Sequence, residues 1–136
     1  MQGVARNFFT LAIGYAIVGM LLGLSMAMSH DHAQMPTHAH IMVLGWIMSS
    51  VFAFFYHLVP AAASRLATVH FWLSGISGIV LVAGLFMMIG GNPSIEPVVA
   101  VASMAFFVGM LLFAWIALGT MWKSTTVASP RNAAAS

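Results

Sequence analysis

The sequence predicts an all-α integral membrane protein, a four-helix bundle with both termini on the cytoplasmic side. Three observations carry that prediction. Charged side chains make up only 4% of the 136 residues and hydrophobic ones 62%, whereas an ordinary soluble domain is roughly 25% charged. The charges are also separated by apolar stretches long enough to cross a hydrocarbon core of ~30 Å, which needs about 20 helical residues. Finally, those stretches lack the strict alternation of a barrel strand, and in lipid only helices and closed barrels satisfy their own backbone.

The first span, 8–29, begins at Phe8 and runs to a polar loop around Asp31. It is too long for the apolar core of a secretory signal and no small-residue cleavage site follows it, so it is read as a retained helix. Met35-Pro36-Thr37 breaks the chain before the second span, 38–59, which Pro60 and Ala61-Ala62-Ala63-Ser64 close. The third span, 67–90, ends at Gly90-Gly91-Asn92-Pro93, and the fourth is 97–122. These spans make one transmembrane domain, 1–123. The small polar residues 124–136 are expected to form a flexible cytoplasmic tail.

Four spans sort the charges by sign. Arg6, Arg65, Lys123 and Arg131 fall on one side, Asp31 and Glu96 on the other. The positive-inside rule places the basic side in the cytoplasm, and three or five spans would destroy the separation. Small residues mark where helices can approach: Gly19 and Gly23 with Ala27, Ser74 with Gly78, and Ala105 with Gly109. Such spacing serves packing within a bundle as readily as a subunit interface.

The few charges give no basis for nucleic-acid binding. The absence of cysteine excludes disulfides, thiolate metal sites and covalently attached haem. Any cofactor must therefore be held by His, Met, carboxylate or backbone. The six histidines equal the charged residues in number, and ionisable groups in a membrane segment are functional candidates.

They form two layers. His57 and His70 flank the turn near Ser64 at similar distances, so a helical hairpin can set them level. That would suit a bis-imidazole haem or a shared hydrogen bond, and equally an interfacial pair bonded to backbone or water, with Trp72 as an interface anchor. At the other face stand His30, His32, His38 and His40, with Met26, Met28 and Met35 close by. His30, His32, His38, Met28 and Met35 form a candidate copper set, since imidazole and thioether suit that metal. Solvated histidines without a ligand are the plainer alternative. His38 and His40 are about 200° apart on a helix, so they cannot face one point. His40, leading straight into Ile41-Met42-Val43-Leu44-Gly45-Trp46, is the better candidate to turn inward. His40 and His57 are separated by about 25 Å of helix rise, which makes the layers separate sites.

The stretch from Thr37-His38-Ala39-His40 through Leu44-Gly45-Trp46 to Phe55-Tyr56-His57-Leu58-Val59-Pro60 resembles the second transmembrane helix of haem–copper oxidase subunit I, the superfamily of cytochrome c oxidase and nitric oxide reductase. With Asp31-His32 and His70-Phe71-Trp72-Leu73, nearly the whole chain is similar to small bacterial membrane proteins labelled subunit-I-like. The resemblance implies a multi-pass protein of the bacterial inner membrane, with His40, or less directly His38, as a haem ligand. The other ligands of a full subunit I lie on helices that this chain lacks, so no complete oxygen- or nitric-oxide-reducing centre is expected.

Three functions follow as expectations. The first is a haem-b-binding electron-transfer protein, with His40, His38, His57 and His70 as candidate ligands and the second axial position filled by His38, Met26, Met28 or another subunit. The second is a copper-binding or copper-handling protein, and the third an accessory or assembly subunit of a respiratory complex. Expected partners are the lipid bilayer, further copies of the chain in a homo-oligomer that encloses the cofactor, and a respiratory-chain redox partner.

Overall fold

In the computed structural model, residues 1–124 are described, and every regular element among them is helical. The expected tail, 124–136, lies outside the described residues except for Ser124, which ends the last helix. Four long helices, α1 (Gly3–Ser29), α2 (Met35–Leu58), α3 (Arg65–Ile89) and α4 (Glu96–Ser124), are long and apolar enough to cross a membrane. Short 3₁₀ turns, Pro60–Ala62 and Pro93–Ile95, lead into α3 and α4. Both start with proline, whose fixed φ suits a first helical position and whose missing N–H is no loss there.

The expected span boundaries hold to within a few residues, with the largest difference at the start of α1. The helix begins at Gly3, although 3–7 carries Arg6 and Asn7. Packing explains the extension, because Ala5 and Phe8 are buried against Phe52, Ala53, Tyr56, Ala62 and Ala67. Arg6 and Asn7 remain exposed on the opposite side of the same turn. At its other end α1 stops at His30, which adopts a left-handed conformation at φ 57°.

The helices pair as hairpins, α1 with α2 and α3 with α4, and α3 also touches both helices of the first pair. Glycines set the close approaches. A Cβ on Gly23 would lie 2.9 Å from His38 Cε1, and one on Gly19 would overlap Met42 and Ile41. The α1 glycine pair is therefore filled by α2 of the same chain. Gly109 of α4 receives Ser74 of α3 in the same way, and the Tyr15 ring lies against Gly45 of α2. Large side chains outside these seams, among them Leu21, Val51, Trp72, Phe107 and Trp115, are exposed, as an apolar solvent permits.

Within α2, Ile41–Met48 is wound as a π-helix between α-helical turns. Such segments are rare and concentrate at functional sites. This one directly follows His40 and contains Gly45, where the Tyr15 ring of α1 packs.

Gly45 and Gly14 should respond differently to alanine. A Cβ at Gly45 would enter the Tyr15 ring, whereas nothing lies within 4 Å of one at Gly14. Gly45→Ala is expected to lose about 1–3 kcal/mol through overpacking, seen as a lower unfolding midpoint in detergent. Gly14→Ala should unfold at or above the wild-type temperature.

Candidate functional site

The structure separates the predicted histidines more sharply than their spacing suggests. His30 and His32 are exposed in the loop between α1 and α2. That loop is organised by Asp31, whose Oδ1 accepts the Ala33 N–H at 2.9 Å, and by Ser29, whose Oγ accepts the Asp31 N–H. Gln34 anchors it to the bundle: its amide donates to the Phe86 carbonyl at 3.1 Å while its carbonyl accepts the Thr37 hydroxyl at 2.7 Å. Thr37 is fully buried. This polar tie was not anticipated from the sequence, because Gln34 and Phe86 are far apart in the chain.

His38 turns towards α1. Its Nδ1 lies 2.9 Å from the Gly19 carbonyl and its ring packs on Gly23. His40 turns the other way. Its Nδ1 lies 2.8 Å from the Pro36 carbonyl, and its side chain lines a cleft of about 340 Å³ between α2, α3 and α4. A carbonyl can only accept, so in both residues Nδ1 is the donor, and in a neutral ring of that kind Nε2 holds the lone pair. A backbone carbonyl on one ring nitrogen is what commonly orients a ligating histidine through the other.

The His40 cleft is lined by Leu44 and Met48 of α2, Leu81 of α3, and Ser103, Phe106, Phe107 and Met110 of α4. Two thioethers thus share a cleft with the imidazole. The sequence reading had considered Met26 and Met28 instead, but Met26 is buried elsewhere on α1 and Met28 is exposed at its end. Helical phase in the sequence identifies the face of α2 that His40 occupies. It does not identify which residues of α4 lie opposite.

Of the copper candidates, His38 is held against α1, while His30, His32, Met28 and Met35 are exposed. Among the described residues, no three His, Cys, Asp or Glu side chains are gathered as a metal ligand set.

At the other end of the bundle, His57 is exposed and His70 is fully buried. The side chain that reaches His70 is Tyr56, the neighbour of His57, with its hydroxyl 3.0 Å from Nδ1. Phe8, Phe52 and Phe113 surround the imidazole with ring centroids 5.0, 4.6 and 5.5 Å away. Nε2 of His70 is buried without a hydrogen-bond partner among the described residues. This box ties α1, α2, α3 and α4 together through one polar ring. The expected pairing of His57 with His70 is replaced by Tyr56 with His70: which of two adjacent residues faces α3 depends on the phase of α2, which the π segment changes.

The Tyr56–His70 bond should be visible as an energetic coupling. Tyr56→Phe leaves both imidazole nitrogens unpaired in an apolar box and is expected to destabilise by about 1–3 kcal/mol. His70→Leu in the Tyr56→Phe background should cost less than it does in the wild type. Additive effects in that double-mutant cycle, followed by thermal unfolding, would show that the contact contributes nothing.

Comparison of the chain with protein-family models, with curated proteins and with solved structures finds no match.

Proposed function

We propose that this chain is a membrane electron-transfer protein that binds haem b through His40. The observation that carries this reading is the placement of the His40 ring: Nδ1 is committed to the Pro36 carbonyl, so Nε2 is the nitrogen left to ligate, in a side chain lining an apolar, aromatic cleft. The donor set suits haem iron, for which His with His or Met is a common axial pair. The resemblance of Thr37–Trp46 to the second helix of haem–copper oxidase subunit I points the same way.

In this reading His40 would hold the haem iron together with Met48 or Met110, which line the same cleft. Leu44, Leu81, Phe106 and Phe107 exclude water and hold the face of the macrocycle. Bound haem would supply a one-electron carrier whose potential depends on the axial pair and on burial. The cleft is open on one side and takes only part of a macrocycle, so a second copy of the chain closes it. The protein lies in the bacterial inner membrane with its basic ends in the cytoplasm. It carries electrons for a respiratory-chain partner and has no complete oxygen-reducing centre of its own.

Copper handling at His30, His32 and His38 is the competing function, and one preparation separates the two. Protein purified in mild detergent should show a Soret band and sharp reduced α and β bands, both lost in His40→Ala. Stoichiometric copper without a Soret band would overturn the haem assignment, and neither signal would favour the accessory role. Of Met48→Leu and Met110→Leu, the one that removes an axial thioether should lower the midpoint potential, since methionine ligation raises it.

Orientation has its own test, made clean by the absence of native cysteine. Ala33 and Ala63 are both exposed, in the two loops at opposite ends of α2. A membrane-impermeant thiol reagent added outside intact cells should label Ala33→Cys and spare Ala63→Cys. The reverse pattern would invert the topology.

A further inference from the structure

A second, chemically different cleft of about 480 Å³ opens where α3 begins and α4 ends. The groove between α1 and α3 and the His40 cleft are predominantly apolar, but this one is divided. Leu66, Trp115 and Ile116 form an apolar wall, while Ser64 and Lys123 stand at its polar end. Trp115 is 75% exposed, an amphipathic ring of the kind that sits at a membrane–water interface.

The polar end is positive for two reasons. Lys123 lies in the last turn of α4. Ser64 immediately precedes α3, and its hydroxyl makes no capping bond, so the first N–H groups of a 25-residue helix lack a side-chain acceptor and present the positive end of its dipole. Nothing acidic offsets this charge among the described residues. The chain has only two carboxylate side chains: Asp31 follows the end of α1, and Glu96 opens α4, both at the opposite end of the bundle. Arg6 and Arg65 stand at this end too, but neither lines the cleft.

We propose that this cleft is a binding site for an anionic phospholipid. The headgroup phosphate sits between Lys123 and the N-terminal amides of α3, and an acyl chain descends along Leu66 and Trp115. A free phosphate would leave the apolar wall unused, and a zwitterionic headgroup would bring its own cation to a basic end. Basic pockets between transmembrane helices on the cytoplasmic side are suited to acidic headgroups. The site requires that the four helices lie in a bilayer, but it is independent of whether His40 holds haem.

The test uses the full-length protein, delipidated in a neutral detergent and titrated with phosphatidylglycerol, phosphatidylcholine or inorganic phosphate while its thermal unfolding is followed. Phosphatidylglycerol is expected to raise the midpoint saturably and to remain as one bound lipid per chain in native mass spectrometry. Phosphatidylcholine should have a smaller effect at the same mole fraction, and phosphate none. Lys123→Gln should weaken phosphatidylglycerol binding about five-fold, with helix content unchanged by circular dichroism. Arg6→Gln, at the same end but outside the cleft, should retain the wild-type affinity. Equal stabilisation by both lipids, a full response to inorganic phosphate, or an unaltered affinity in Lys123→Gln would each overturn the proposal.

Discussion

The bundle is spaced by large side chains seated on glycines, and Tyr15 of α1 is seated on two of them. Its ring fills the space that Gly45 leaves on α2, and its hydroxyl end would lie 2.9 Å from a Cβ on Gly78 of α3. One side chain of α1 therefore sets the distance to two other helices. Between helices that cross a bilayer no hydrophobic force acts, because the acyl chains are as apolar as leucine, and close packing at small residues is one of the attractions that replaces it. The same device recurs where Gly19 and Gly23 admit Met42 and His38, and where Gly109 admits Ser74. Sequence spacing had marked the α1, α3 and α4 positions without saying whether a neighbour in the same chain or in a second subunit would use them. In the folded chain the neighbours are internal.

Polar side chains of the helices are tied down one by one, except that Ser50 Oγ and His70 Nε2 are buried without a hydrogen-bond partner among the described residues. Ser77, Ser103 and Thr120 return their hydroxyls to carbonyls one helical turn earlier, which satisfies them at little structural cost. His38 and His40 each commit one ring nitrogen to a backbone carbonyl. His70 is the contrast, since its one hydrogen bond is to Tyr56 and its other nitrogen has no partner. An unpaired buried polar atom costs free energy, so the surrounding rings of Phe8, Phe52 and Phe113 must hold the imidazole by packing. The two ends of the bundle thus treat histidine differently: His40 bonds to the backbone of its own helix and lines a cleft, while His70 bonds across to another helix inside the aromatic box.

The π segment connects these two ends. It lies between His40 and Ser49, upstream of Phe52 and Tyr56, so it resets the phase between the His40 cleft and the aromatic box. A uniform α-helix projected from His40 would not predict which of Tyr56 and His57 meets His70. Backbone hydrogen bonding inside the helix cannot be read from side-chain order, and the π segment coincides with the place where the Tyr15 ring packs on Gly45.

The amino-acid sequence by itself determined the secondary structure and the division of charge. Uninterrupted apolar stretches in a charge-poor chain leave helices as the only way to satisfy a backbone in lipid, and Pro36, Pro60, Pro93 and the Gly90-Gly91 pair say where they break. It also determined that histidines stand in two layers, and that His38 and His40 must face different ways, because two residues span about 200° of helix. Tertiary structure alone decided what each one faces: Gly19 and Gly23 for His38, the cleft with Met48 and Met110 for His40, and Tyr56 within three phenylalanine rings for His70. The reason is physical. Helical periodicity is a property of one segment, whereas a partner across an interface is set by the offset and rotation between two segments. Those are decided by which small residue on one helix receives which large side chain from another.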